Sequence, residues 1–143
     1  DFPGARFVED RLPGAGPLSG LHAALVVARE AGVDRLLVTG CDQPFLPTAL
    51  LQELVRYEGV DVVVPRLRVG LEPLCAVYSV SCLGAVEEAL RSGRRKVTAF
   101  YSSVRVRYLD EEGIRRYGRP EVLFFNVNTP RDYRRALQIA GEV

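Results

Sequence analysis

The sequence predicts an α/β fold in which a parallel sheet has helices on its faces. Two observations support this class. Predicted helices and strands alternate along the first half of the chain, an order that favours parallel strands joined by right-handed crossovers. The strands are short apolar runs, as expected when both faces of a sheet are covered. A length of 143 residues, 48% of them apolar, fits a single domain spanning 1–143 with one substantial core.

The first half of the chain supplies two helix and strand pairs. The segment GAGPLSGLHAALVVAREAG, 14–32, predicts a helix with Pro17 in its first turn and Gly32 at its end. DRLLVTG, 34–40, predicts a buried strand. LPTALLQELVRYEG, 46–59, predicts a helix with Thr48 as N-cap and Gly59 as its stop, and VDVVVP, 60–65, predicts the next strand.

The second half continues with strands and helices of similar length. A strand is predicted at 72–80, then a helix at 81–93 with Ser81 as N-cap, a short helix within 94–103, and an edge strand at 104–109. EVLFFNVN, 121–128, predicts an apolar strand. The terminal helix, 129–143, is predicted to have Thr129 as N-cap and Pro130 at its first position.

Composition excludes several classes of function. Nineteen basic and eighteen acidic residues give a net charge of +1, so no overall field favours nucleic acid or an anionic membrane. No apolar run reaches the roughly 18 residues that span a bilayer, and we expect a cytoplasmic protein. The three cysteines fit neither a disulfide framework nor paired metal ligands. No nucleophile elbow of the form G-x-S-x-G is present.

Asp42, in the bend GCDQPFLP, directly follows a predicted strand. Ligands of open α/β sheets bind outside the carboxyl ends of strands. Asp42 is therefore either a turn cap or a ligand. Asn126 and Asn128 lie two residues apart at the end of another predicted strand and would point the same way. A carboxylate and a carboxamide together suit Mg²⁺, which takes its other ligands from phosphate and water.

Two further segments have both a structural and a functional interpretation. GAGPLSG is either a plain entry into a helix or a loop whose free backbone N–H groups bind an anion or a base edge. SGRRKV, which contains Arg95, is either a solvated helix end or a contact to a substrate phosphate.

The motifs FVED, GPLSGLHAAL, LLVTGCDQPFLP, EPLCAVYS, GRRKV and FFNVNTPRDY, in this order, resemble the molybdenum cofactor guanylyltransferases. These guanylyltransferases are also called the molybdopterin-guanine dinucleotide biosynthesis protein A family. They belong to the wider nucleotidyltransferase superfamily. The resemblance implies a Rossmann-like three-layer sandwich, its sheet mostly parallel with one or more antiparallel strands. It also implies Mg²⁺-dependent transfer of GMP from GTP to molybdopterin, with release of pyrophosphate.

The resemblance assigns roles to individual residues. Asp42 matches the catalytic aspartate that binds Mg²⁺ and nucleotide, and Asp10 matches an aspartate at the GTP site. Asn126 matches a metal and molybdopterin contact, and Asn128 a molybdopterin contact. We add Arg95 to the molybdopterin site, and to the nucleotide site we add the loop residues Gly16, Pro17, Leu18, Ser19 and Gly20.

GTP and molybdopterin are the substrates that the resemblance implies, with contacts to molybdenum-insertion proteins and target apoenzymes. Two alternatives stay open. One is a molybdopterin cytidylyltransferase, which Asn126 and Asn128 disfavour because those enzymes tend to end in a DIDTP-like motif. The other is a non-catalytic module that binds molybdopterin or a partner.

The family's amino-terminal glycine-rich loop is not found in this sequence, which also contains no Met. We therefore expect the first strands of the sheet upstream of Asp1, so that 1–143 is a partial nucleotidyltransferase domain.

Overall fold

The structure, a computed structural model, describes residues 16–40 and 43–142, without the side chain of Glu142. Short 3₁₀ helices lie at Val80–Cys82, Val97–Ser103 and Arg115–Tyr117. None of the described helices is long and apolar enough to cross a bilayer. The other elements, in chain order, are α1 (Pro17–Glu30), β1 (Arg35–Thr39), α2 (Thr48–Arg56), β2 (Val62–Leu67), β3 (Gly70–Leu71), β4 (Cys75–Ser79), α3 (Leu83–Arg91), β5 (Val106–Asp110), α4 (Glu111–Ile114), α5 (Pro120–Leu123) and α6 (Pro130–Glu142).

The sheet is mixed, and β4 lies between β1 and β2. β4 is antiparallel to both neighbours, with Thr39 opposite Cys75 and Val62 opposite Tyr78. β5 pairs with β2 in parallel, and the short β3 forms a hairpin with β2. Strands β1, β2 and β5 therefore run in one direction, as predicted. The α/β class, with antiparallel strands in a mostly parallel sheet, is confirmed.

Helices cover both faces of the sheet, which gives the predicted three layers. Alternate residues of β4 point to opposite sides, so Ala76 and Tyr78 belong to one apolar cluster and Cys75 and Val77 to the other. The first cluster contains residues of α1, α3 and the helix Val97–Ser103. The second contains residues of α2, α4 and α5. A central strand buried on both faces explains why 75–78 is continuously apolar.

Two predicted N-caps are wrong. α2 begins at Thr48 itself, after Pro47, and has no side-chain cap. Pro47 holds an extended backbone at the cap position, which leaves Thr48 inside the helix. Ser81 lies in the 3₁₀ turn before α3, and its hydroxyl donates to Asp61 instead of capping. The Ser81 hydroxyl therefore links the 3₁₀ helix before α3 to the residue that precedes β2.

The predicted strand at 121–128 is also wrong. Pro120 occupies the first position of the short helix α5, and the N–H groups of Val122 and Leu123 both donate to the carbonyl of Arg119. Leu123 and Phe124 are buried in the second cluster. A short apolar run is compatible with a buried strand or a buried helical turn, and the proline selects the turn here.

The predicted start of the terminal helix is confirmed. The Thr129 hydroxyl accepts the N–H of Asp132 at 3.1 Å, and the Asp132 carboxylate accepts the N–H of Asn128 at 3.1 Å. The first of these bonds satisfies a backbone donor that the first turn of α6 leaves without a helical partner, and the second ties the backbone of Asn128, just before the cap, to that turn. Asp132 is also an acidic residue in the first turn, where the helix dipole favours negative charge.

Asp61 joins three elements at the end of the sheet where β2 begins. Its carboxylate accepts the Ser81 hydroxyl at 2.6 Å and the backbone N–H of Arg105 at 2.8 Å. These two hydrogen bonds, with the nearby Arg105 charge, hold the pKa of the Asp61 carboxyl below its ordinary value despite partial burial. The ionised carboxylate therefore stabilises the junction between β2, the turn before α3 and the start of β5.

We predict that Asp61→Ala lowers the free energy of unfolding by about 1.5–3 kcal/mol, the usual range for hydrogen bonds to a charged group. Urea unfolding measures this loss. Asp110→Ala is the control, because Asp110 pairs with Arg66 on the exposed surface and such pairs contribute about 0–1 kcal/mol. Equal losses in the two variants would contradict the role of Asp61.

The contribution of Asp61 also depends on pH with a defined sign. Since the folded pKa is the lower one, the contribution is complete above the pKa of an unfolded aspartate, about 3.9, and is lost as pH falls through the folded value. The difference in stability between the wild type and Asp61→Ala should therefore shrink only in acid.

Candidate functional site

The carboxyl ends of β1, β2 and β5 lie at one edge of the sheet, which we call the site edge. Strand β4 begins at this edge, because Cys75 is opposite Thr39. Only residues 31–34 separate the end of α1 from the start of β1, so α1 runs antiparallel to β1. The start of α1 therefore lies at the same edge as the end of β1. The site edge is therefore where the polar segments that the sequence singled out are expected to meet.

Asp42 and Asp10 lie outside the described residues, so the structure does not test their assigned roles. The residue that follows Asp42 is described. The N–H of Gln43 donates to the carbonyl of Gly40 at 3.3 Å, and the side chain exposes only 8% of its surface. Among the residues that the structure describes, none forms a hydrogen bond with the Gln43 Oε1 atom. The bend after β1 therefore brings a buried polar side chain to the site edge.

The GPLSG and GRRK segments contact each other at the start of α1. The N–H of Leu18 donates to the carbonyl of Arg95 at 3.1 Å. A Cβ placed on Gly16 would lie 3.2 Å from the Arg95 Nε atom. The structure thus brings together Arg95, which the sequence assigned to molybdopterin, and the loop that the sequence assigned to the nucleotide.

The expectation that GPLSG has free backbone N–H groups is corrected in part. The N–H of Leu18 is taken by Arg95, and the N–H of Gly20 donates to the carbonyl of Gly16. The Leu18 side chain is fully buried in the first cluster, while Pro17, at the first helical position, has no N–H. Leu18 therefore serves packing, whereas Gly16, Ser19 and Gly20 are only partly buried among the described residues.

Asn126 and Asn128 lie in the segment between α5 and α6, and both are exposed. Because 124–129 does not form a strand of the described sheet, the argument that the two side chains share a face does not hold. The backbone of Asn128 belongs to the cap of α6. The structure leaves both carboxamides accessible and does not test their assigned roles.

Glu72, to which the sequence assigned no role, lies in the turn just before β4. The N–H of Glu72 donates to the carbonyl of Pro65, and its own carbonyl accepts the N–H of Cys75, each at 3.1 Å. Burial raises the pKa of the Glu72 carboxyl above its ordinary value. Burial, with the neighbouring Glu72 charge, raises the pKa of the Cys75 thiol to about 12. The hydrogen bond to Cys75, which is opposite Thr39, places Glu72 at the site edge.

The turn that contains Glu72 is held by a pair of buried hydroxyl groups. The Tyr78 hydroxyl donates to the carbonyl of Pro73 at 2.7 Å and lies 2.6 Å from the Tyr101 hydroxyl. Tyr101 belongs to the 3₁₀ helix that follows GRRK, and it packs edge-to-face on Phe100. The Tyr78 and Tyr101 side chains therefore connect the turn at residues 72–74, which we call the EPL turn, to the helix that follows the GRRK segment.

A model of the MobA-like NTP transferase domain matches residues 1–106 of the chain. The chain belongs to this family. The match includes GPLSG, GCDQP and the EPL turn, so the site edge is built mainly from family residues. The predicted resemblance is confirmed.

Curated relatives and a solved structure agree with this family. The chain is 49% identical over 142 residues to the "Probable molybdenum cofactor guanylyltransferase" of Pelotomaculum thermopropionicum, covering 96% of this chain and 66% of that relative. It is 38% identical over 123 residues to the "Molybdenum cofactor guanylyltransferase" of Desulfosudis oleivorans, covering 85% of this chain and 59% of that relative. The chain thus spans less than two thirds of the length of these relatives.

Among solved structures, the molybdopterin-guanine dinucleotide biosynthesis protein A of Archaeoglobus fulgidus superposes with a TM-score of 0.76 at 31% identity. The superposition covers 97% of this chain and 70% of that one. The mixed sheet with helices on both faces is therefore the fold of a MobA-like NTP transferase domain.

We predict that Gly16→Ala destabilises the domain by about 1–3 kcal/mol. Gly16 has φ 93° and ψ 158°, a backbone region that is essentially restricted to glycine, and its new Cβ would press on Arg95. Thermal or urea unfolding measures the loss. Gly84→Ala is the matched control: Gly84 lies in α3 with open space around it, so alanine should stabilise by about 0.4–1 kcal/mol. A stabilising Gly16→Ala would contradict the proposed strain.

Proposed function

We propose that the protein transfers GMP from GTP to the terminal phosphate of molybdopterin, as a molybdenum cofactor guanylyltransferase. The observation that carries this proposal is the 49% identity, along nearly the whole chain, to a relative with that name. The adjoining GPLSG and GRRK segments at the site edge support it, because a transferase must bind two phosphate-bearing substrates side by side.

In the proposed reaction, a phosphate oxygen of molybdopterin attacks the α-phosphorus of GTP. The new P–O bond forms as the bond between the α-phosphorus and the bridging oxygen breaks, and pyrophosphate leaves. The attacking phosphate is already ionised near neutral pH, so the chain needs no strong general base. The task of the protein is to hold two anions in line and to offset their charge.

The residues assigned to a cation are the Asp42 carboxylate and the Asn126 carboxamide oxygen. Both are hard oxygen ligands, the kind that Mg²⁺ prefers. Residues 16–40 and 43–142 contain no group of three or more His, Cys, Asp or Glu side chains placed to hold a metal. Mg²⁺ commonly takes one or two protein ligands and completes its shell with phosphate and water. When bound, the ion supplies positive charge next to the phosphates.

The loop from Gly16 to Gly20, with Asp10, is the proposed nucleotide-binding segment. Arg95 and Asn128, with Asn126, are proposed to bind molybdopterin. The Arg95 side chain lies against Gly16, so a phosphate bound by its guanidinium would lie beside the proposed nucleotide-binding loop. A guanidinium matches phosphate oxygens in bidentate geometry and stays charged at all relevant pH values. Arg95 is therefore suited to hold a molybdopterin phosphate near the nucleotide.

We predict that Asp42→Asn lowers kcat by roughly 10²–10³, the usual loss when one strong electrostatic stabiliser of a transition state is removed. The assay incubates the product of the complete coding sequence with GTP, Mg²⁺ and molybdopterin, and measures pyrophosphate and the dinucleotide product. Asp34→Asn is the control, because Asp34 is an exposed aspartate at the opposite end of β1. Full turnover by Asp42→Asn would contradict the assignment.

A competition between GTP and CTP separates the proposal from its nearest alternative. We expect the wild-type protein to form the guanine dinucleotide when both nucleotides are present in equal amounts. Preferential formation of the cytosine product would identify a cytidylyltransferase instead. Binding of molybdopterin without consumption of either nucleotide would identify a non-catalytic module.

A further inference from the structure

The Glu72 carboxylate is partly buried. It lies at the site edge, three residues before Cys75, which pairs with Thr39 at the end of β1. In residues 16–40 and 43–142, no hydrogen bond or ion pair brings a donor to this carboxylate. Burial of an ionised carboxylate is unfavourable unless donors or a cation compensate for the lost water. A bound ligand that offers donors would provide that compensation.

The position of Glu72 is fixed by its backbone. The turn 72–75 is closed by the hydrogen bond from the Cys75 N–H, and it is tied to β2 by the bond from Glu72 to Pro65. The Tyr78 hydroxyl also donates a hydrogen bond to the Pro73 carbonyl in this turn. A side chain on so constrained a turn binds a ligand with little loss of backbone entropy, as preorganised sites do.

A second acceptor without a partner approaches the same edge. Gln43 follows Thr39 by four residues, is more than nine-tenths buried, and its Oε1 atom has no hydrogen-bond partner in the described part of the chain. Buried polar atoms are almost always paired in native proteins, so such an atom calls for an explanation. The Glu72 carboxylate and the Gln43 Oε1 atom thus add two acceptor groups to this part of the site edge.

We infer that Glu72 accepts the two neighbouring N–H groups of a 2-amino-4-oxopyrimidine ring, an edge that guanine and pterin share. This inference rests on the proposed function, which supplies both rings. The ring nitrogen and the 2-amino group of that edge donate in parallel, and the two oxygens of a carboxylate accept in parallel. Cytosine offers one amino donor beside acceptor atoms, so Glu72 would repel its acceptors. Glu72 is thus a specificity residue for the base or the pterin.

Glu72→Gln tests the inference in the product of the complete coding sequence. The carboxamide keeps the size of the side chain but turns one acceptor into a donor. We expect a loss of roughly 10- to 100-fold in kcat/KM, the equivalent of one charged hydrogen bond. Glu53→Gln is the matched control, since Glu53 is a partly buried carboxylate near the end of α2 that accepts the Tyr57 hydroxyl.

Comparison of GTP with ITP, which lacks the 2-amino group, shows which ring Glu72 recognises. If Glu72 binds guanine, the wild type prefers GTP over ITP by roughly 10- to 100-fold and Glu72→Gln loses that preference, with KM for molybdopterin unchanged. If it binds pterin, KM for molybdopterin rises by a similar factor and the preference between nucleotides does not change. Either result supports the inference.

Two results would overturn it. One is a Glu72→Gln protein with wild-type constants for both substrates. The other is a defect that higher Mg²⁺ concentration corrects, because Glu72 would then bind the cation rather than a ring. Calorimetric titration with GTP, ITP and molybdopterin separates this inference from the proposed function. If the wild type transfers no GMP, the proposed function is wrong. The inference would still hold if the Glu72→Gln variant bound molybdopterin more weakly than the wild type, or no longer discriminated between GTP and ITP.

Discussion

The pairing of β4 with β1 on one side and β2 on the other determines the geometry of the site edge. Because β4 is antiparallel to both, it begins where they end, with Cys75 opposite Thr39. Its alternating side chains enter both apolar clusters, so the strand is fixed by burial as well as by its hydrogen bonds. The turn before β4, which contains Glu72, is consequently held next to the bend that follows β1. A parallel strand at this position would put that turn at the opposite edge.

Tyr78, in β4, connects the turn before this strand to a second segment of the site. Its hydroxyl is buried and therefore needs partners, which are the Pro73 carbonyl and the Tyr101 hydroxyl. Tyr101 lies in the helix directly after GRRK, and the Arg95 carbonyl accepts the Leu18 N–H at the start of α1. Hydrogen bonds thus join the EPL turn to Tyr101 and the GRRK segment to GPLSG, and the backbone of residues 96–100 connects the two pairs. Substitutions along this path should alter stability and substrate binding together.

Local sequence signals predicted the parts of the fold that local physics determines. Alternation of helices and apolar strands gave the α/β class, and the reciprocal bonds of Thr129 and Asp132 confirm the start of α6. The position of β4 in the sheet could not be predicted, because an apolar run buried on both faces looks the same in a parallel or an antiparallel strand. Glu72 was missed for that reason. Ser81 failed as a cap because Asp61, twenty residues earlier, competes for its hydroxyl.

The distribution of charge across the site edge follows the chemistry of the proposed substrates. With a net charge of +1, the chain has no general attraction for anions, so phosphate must be bound by local groups. The guanidinium of Arg95, which lies beside Gly16, is the group that we propose for this role. Around the EPL turn the polarity is reversed, since Glu72 and Gln43 present acceptors. GTP and molybdopterin both combine a phosphate with a ring that bears N–H donors. A site with a cationic part and an acceptor part matches both portions of such molecules, whereas a site for phosphate alone would have no use for a partly buried carboxylate.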